Sequence, residues 1–194
     1  MIRMTADFRD YDILLQNVIL RSEAVALAHE LLGRKTYGDY SYLYHLSMVE
    51  SALLAAGVQI ADKIGGQLLI AAWLHDTIED AGISYRDVAR QFGEDVAEIV
   101  RSVTNDIRGR NRHERHLSVV PELLKNPLGR ILKLADRLAN TTAANDRMRA
   151  LYIKEYPQFR TELFGTGNNN EGDYLAIETR LWSGLDTLHR AEDN

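Results

Sequence analysis

Apolar residues recur at intervals of three and four over most of the chain, the spacing of one helical face, and only three prolines interrupt it. The pattern predicts an all-α fold. Residues from about Tyr11 to Leu32 carry the first stripe, Gly33 supplies its stop, and Arg34 to Tyr42 reads as a loop. A second helix is expected from Tyr42 to Ala56, ended by Gly57, with Leu43, Leu46, Val49, Leu53 and Leu54 as its buried stripe. A third runs from about Asp62 to Glu79 through LLIAAWLH, apolar on nearly every side, which predicts a central, covered rod.

Ser84 and Asp87 have the spacing of a capping box, with Asp for the usual Glu or Gln, and start a short helix ending near Gly93. Val96, Ile99, Val100 and Val103 mark the next helix, and the polar, basic stretch from Asn105 to Arg115 reads as a loop or irregular helix. Pro127 opens a helix over about Leu128 to Ala144, and another covers about Asp146 to Leu163 with a bend at Pro157. The run from Gly165 to Asp173, GTGNNNEGD, has loop composition, and an amphipathic helix from about Tyr174 to His189 follows. No repeat or linker divides the chain, so a single domain over residues 1–194 is expected.

Composition narrows the chemistry. At 45% hydrophobic and 26% charged, 194 residues suffice for a core of their own. With no Cys, any transition metal falls to His, Asp or Glu, which favours a hard-ligand cation such as Mn²⁺. The formal charge of −5 disfavours general affinity for DNA or RNA, while a local basic pocket for a small anion remains compatible with it. The opening MIRMTADFRDYD is acidic where a signal peptide is basic and then apolar. No apolar run approaches the roughly 18 residues of a membrane span. A cytoplasmic protein without a membrane partner is therefore expected, and homo-oligomerisation is left open.

Three short segments carry candidate metal chemistry: Tyr44-His45, then His75-Asp76 with Glu79-Asp80, then KLADRLAN from Lys133 to Asn140. Two imidazoles and two carboxylates can hold one divalent cation and leave positions for water and substrate. On a helix, His75 stands one turn before Glu79 and Asp76 one turn before Asp80. Each segment also has an ordinary explanation. The acids can form a solvated helix end, Asp136 can pair along its helix with Lys133, Arg137 and Asn140, and His45 can be a hydrogen-bonded core histidine. His29, His113, His116 and His189 lack such company and read as surface residues.

In combination, YxxH, HDTIED, VAEIVRSVTND and KLADRLAN resemble the histidine-aspartate (HD) superfamily of metal-dependent phosphohydrolases. Within it they are most similar to the alarmone hydrolases of the Rel/Spo homologue family, from about Ala24 to at least Glu155. The resemblance implies a helical domain binding one Mn²⁺ through His45, His75, Asp76 and Asp136. It further implies removal of the 3′-pyrophosphate from (p)ppGpp, giving GDP or GTP. Glu79 and Asp80 match the acidic pair at the attacking water. Arg34 and Lys35 match a basic pair facing base and phosphates, and Asn140 matches a nucleotide contact. Lys133 and Arg137 are further candidates for substrate charge, and Asn105, Asp106 and Arg108 fall where relatives place charges around pyrophosphate.

Two positions depart from the family pattern. Tyr44-His45-Leu46 stands for Asn-His-Pro, and Thr141-Thr142 stands for an apolar-Arg pair. Both bear on which nucleotide fits, with Tyr44 a candidate pocket residue. The alternatives are an HD-type phosphatase acting on a 5′-nucleotide or the 2′-phosphate of NADPH, and a non-catalytic nucleotide-binding module. Retention of Glu79-Asp80 argues against the last, because a pure binder has no use for a water-activating pair.

Overall fold

Leu68 to Leu74 carry no charged side chain, and the protein buries all seven in consecutive positions of one helix. Each such burial of a large aliphatic group contributes about 1.5–3 kcal/mol, so this segment becomes the axis on which neighbouring helices pack. The computed structural model describes residues 8–105, 111–164 and 173–190. The elements are α1 (Phe8–Leu32), β1 (Thr36–Tyr37), β2 (Tyr40–Ser41), α2 (Tyr42–Ala55), α3 (Lys63–Leu74), a π-helical turn (Thr77–Ala81), α4 (Tyr85–Phe92), α5 (Glu94–Val103), α6 (Arg112–Lys125), α7 (Pro127–Ala143), α8 (Asp146–Phe164) and α9 (Asp173–Arg190). The fold is all-α apart from the small antiparallel hairpin, in which Thr36 faces Ser41 and Tyr37 faces Tyr40.

Helix α3 packs on α1, α2, α5 and α7, and α7 in turn contacts α2, α5, α6, α8 and α9. The entry to α7 is built locally: Asn126 Oδ1 accepts from the Leu128 and Gly129 amides at 3.1 and 3.0 Å, and Pro127 occupies the first helical turn. The far side of α7 is tied to α9 by Arg130, whose Nε and Nη2 donate to Glu178 at 2.9 and 3.1 Å in a buried setting. No helix among the described residues is long and apolar enough to cross a membrane.

Several sequence expectations change. The Arg34–Tyr42 loop contains the hairpin, with Gly38 at its turn. Leu54 is 49% exposed, because α2 turns His45 and Glu50 inward with Leu46, Val49 and Leu53. Helix α3 ends at Leu74, short of the expected Glu79, and the chain continues through the π-helical turn, closed by Gly82 at a φ of 75° that favours glycine. Helix α6 has no counterpart in the hydrophobic pattern, since Pro121 and Glu122 interrupt the Val119–Leu123 stripe. Helix α8 runs through Pro157 without a break, held by buried Tyr156, Phe159 and Leu163 on one side. His116 and His189 are not surface residues: His116 pairs with Glu162, and His189 is buried against Tyr156. Asp106, Arg108, most of the GTGNNNEGD run and the acidic opening before residue 8 lie outside the described residues.

Candidate active site

Ser41 starts α2 by accepting from the Leu43 amide at 3.2 Å, and the inward face of the helix then carries Tyr42, His45, Leu46 and Val49. His75 and Asp76 follow the last turn of α3, and Asp136 lies on the buried face of α7 with Leu132, Ala135 and Ala139. These three sources converge. His45 Nε2 is 3.4 Å from His75 Nε2, 3.5 Å from Asp136 Oδ1 and 3.7 Å from Asp76 Oδ2. His75 Nε2 is 3.1 Å from Asp76 Oδ2 and 3.9 Å from Asp136 Oδ1.

The donor chemistry fits a divalent cation. His75 Nδ1 donates to the Ala72 carbonyl at 2.8 Å, which leaves the Nε2 lone pair for the cluster centre. His45, His75 and Asp76 each offer one ligand atom within 4.8 Å of the others, the arrangement of a metal site. Electrostatics point the same way. Burial lowers the pKa of His45. It opposes charge on His75 too, but Asp76 and Asp136 outweigh it and raise that imidazole to about 9. Burial also opposes ionisation of both carboxyls. His75 overcomes it at Asp76, as Lys133 does at Asp136, so both lie below the usual carboxylate range. The cluster is thus a buried seat for positive charge.

A cleft of about 340 Å³ opens beside it, lined by residues of the hairpin, α2, the π-helical turn, α6, α7 and α8. Lys133 Nζ donates to Asp136 Oδ2 at 2.8 Å, and Asn140 Nδ2 donates to Asp136 Oδ1 at 2.7 Å. Glu79 lines the cleft, accepts from the Asn105 amide at 3.3 Å and lies 3.9 Å from Arg115. Burial raises its pKa above the ordinary value. Asp80 also lines the cleft and is hydrogen-bonded to Tyr42, whose hydroxyl lies 2.9 Å from Asp76 as well.

The remaining sequence candidates are spread more widely. Arg137 lines the cleft, but its guanidinium is paired with Glu155 at 3.1 Å and lies over the Tyr152 and Phe159 rings. Lys35 is hydrogen-bonded to the Asp80 carbonyl, and Arg34 is exposed and lines neither cavity. Tyr44 is 47% exposed, packs on Tyr40, and lines a second cavity of about 230 Å³ together with Tyr37, His45, Asn140, Met148 and Tyr152. Thr141 and Thr142 turn their hydroxyls back to the Arg137 and Leu138 carbonyls.

Sequence reasoning does not single out Tyr37 or the His116–Glu162 pair, and Tyr42 enters it only as the first residue of the YxxH motif, with no role assigned. Tyr42 was findable, since it lies one turn before His45 on the same helical face. Tyr37 carries no local signal, because its stacking on His45 depends on the hairpin fold.

Comparison with known proteins decides the family. The model of the family described as HD domain matches residues 24–158. The chain belongs to the HD domain family. Among curated members, the guanosine-3′,5′-bis(diphosphate) 3′-pyrophosphohydrolase MESH1 of Drosophila melanogaster is 33% identical over 115 residues, 59% of this chain and 62% of that protein. Human MESH1 is 35% identical over 124 residues, 64% of this chain and 67% of that protein. This HD protein also superposes on the solved structure of a metazoan SpoT orthologue that hydrolyses ppGpp. The TM-score is 0.64 at 26% identity, covering 87% of this chain and 94% of that one. The chain thus spans about three-fifths of the length of its Drosophila relative.

Proposed function

We propose that this HD protein is a metal-dependent hydrolase that removes the 3′-pyrophosphate from (p)ppGpp, yielding GDP or GTP and pyrophosphate. The observation that carries the proposal is the meeting of His45, His75, Asp76 and Asp136 in one cluster beside a cleft that Asp76 and Asp136 line together with Glu79, Asp80 and Lys133. The likeness to MESH1 and to the SpoT orthologue supports the choice of substrate.

His45, His75, Asp76 and Asp136 would hold the divalent cation, taken to be Mn²⁺ from the hard donor set, which supplies Lewis-acid stabilisation of charge on the phosphoryl oxygens. Glu79 orients and deprotonates the attacking water, a role suited to a cleft-lining carboxylate whose proton affinity its surroundings increase. Asp80 is held in place by Tyr42 and shares that water. Water attacks the phosphorus next to the ribose, the phosphorus–O3′ bond breaks, and the proton released ends on the 3′ oxygen. Lys133 meets phosphate charge at the cleft wall, and the Arg34–Lys35 strand entry and Tyr44 meet the rest of the nucleotide. The proposed setting is cytoplasmic, with a small nucleotide rather than DNA or RNA as partner.

The pairing of Arg137 with Glu155 and of Lys133 with Asp136 favours one second reading, an HD-type phosphatase for a less highly charged nucleotide. Incubation with Mn²⁺ and ppGpp, separating GDP, pyrophosphate and phosphate, distinguishes the two. Pyrophosphate release supports the alarmone reading, and release of phosphate from a 5′-nucleotide or NADPH alone overturns it. Asp76→Ala is expected to lose metal and activity together, and full turnover by that variant in chelated buffer would sink metal catalysis.

A further inference from the structure

Among the described residues, four basic side chains line the cleft, and three of them are closely engaged. Lys133 Nζ lies 2.8 Å from Asp136, and Arg137 is bonded to Glu155 at 3.1 Å. His116 Nε2 lies 2.8 Å from Glu162, and its ring packs on Phe159. Arg115, at the start of α6, differs. Its side chain is 46% exposed, and its ion-pair partner Glu79 is 3.9 Å away, beyond hydrogen-bond distance. A guanidinium fork so loosely held, beside the carboxylate assigned to the attacking water, is available to an incoming anion.

Resting on the substrate proposed above, we infer that Arg115 binds the outer phosphoryl group of the 3′-pyrophosphate and thereby selects a 3′-diphosphate over a 3′-monophosphate. In-line displacement decides which part of the substrate it meets. Water and O3′ occupy opposite apices of the attacked phosphorus, so side chains around the water stand on the face away from the ribose and base. Arg115 belongs to that face, because it flanks Glu79. Within its reach are the oxygens of the attacked group and, across one bridging oxygen, the outer phosphoryl group. The attacked group falls to the metal site and to Lys133, which is tied to Asp136. The outer group is the more highly charged of the two, while Glu155 and Glu162 already take up the charge of Arg137 and His116. Arg115 meets that remaining charge, and its planar fork matches two phosphate oxygens at once.

The test measures kcat and KM for ppGpp with the Mn²⁺-loaded protein, together with the inhibition constants of GDP and of guanosine 5′-diphosphate 3′-monophosphate as competitors. The three nucleotides share base, ribose and 5′-diphosphate and differ only at O3′. In Arg115→Ala, KM for ppGpp is expected to rise roughly tenfold to a hundredfold, the loss of a charge-assisted phosphate contact, while both inhibition constants change by less than about twofold. Arg115→Lys keeps the charge without the fork and should give an intermediate KM. An unchanged KM overturns the inference. So does an equal rise in KM and in the inhibition constant of the 3′-monophosphate, which would place the contact elsewhere on the nucleotide or make the residue structural. A fall in kcat alone overturns it too and assigns Arg115 to the support of Glu79. All three leave the hydrolase reading intact. Failure of the wild-type protein to turn over ppGpp overturns that reading, and this inference with it.

Discussion

The Tyr37 ring lies flat on His45, with centroids 4.1 Å apart and planes 9° from parallel. Hairpin residue Tyr37 thereby restrains the imidazole that α2 presents to the cluster. Groups that fix a ligand's orientation typically control metal affinity by about tenfold or more. Tyr37→Ala is expected to weaken Mn²⁺ binding by about that factor in calorimetry while the helical circular dichroism stays unchanged. Unaltered affinity would show that the stack does no orienting.

Metal uptake should depend on pH through one residue. His75 titrates near 9, whereas His45 is held low and the two aspartates are ionised well below neutrality. Ligation requires a neutral imidazole, so below about pH 9 each ion must displace the His75 proton. Affinity should rise about tenfold per pH unit through neutrality and flatten once His75 has lost its proton. A flat profile between about pH 6 and 8, at constant ionic strength, would contradict this assignment.

Arg137 is expected to matter for stability. Its guanidinium bridges α7 to α8 through Glu155 and the Tyr152 carbonyl and is sandwiched near two aromatic rings. Arg137→Gln should cost about 2 kcal/mol, seen as a lower denaturant midpoint. An unchanged midpoint with a large rise in KM would instead make Arg137 a substrate contact.

The Arg130–Glu178 pair lies on the far side of α7, where Trp182 also donates to Glu178 at 3.3 Å. Removing one partner strands a buried charge. Glu178→Ala should lower stability by about 3–5 kcal/mol, while any population that remains folded binds Mn²⁺ normally. A loss below about 1 kcal/mol would place this pair with ordinary surface bridges.

Legibility of the fold and the site followed range. Helical spacing is a local property, so α1, α2, α4, α5, α7 and α9 are readable from residues a few positions apart. Asp136 stands out as the polar interruption of an apolar face, but His45, His75, Asp76 and Asp136 are legible as one set through the family resemblance, and the fold brings them into one cluster. What the pattern misses depends on distant partners. Helix α6 draws its burial from α5, α7 and α8, and the Tyr37 stack needs a hairpin two residues wide on each side. The engagement of Arg137 with Glu155 joins residues 18 positions apart across a helix junction. The direction of Glu79 and Asp80 is likewise hidden, because an ideal α-helix would have carried them on from His75 and Asp76 without a change of winding.

That change of winding gives the HDTIED segment an unusual sensitivity to length. Successive α-helical residues advance by about 100°, so deleting Ile78 would swing the downstream carboxylates Glu79 and Asp80 around the axis by a comparable angle. Such a shortening would re-aim Glu79 and Asp80 together, away from the chamber they share with Lys133.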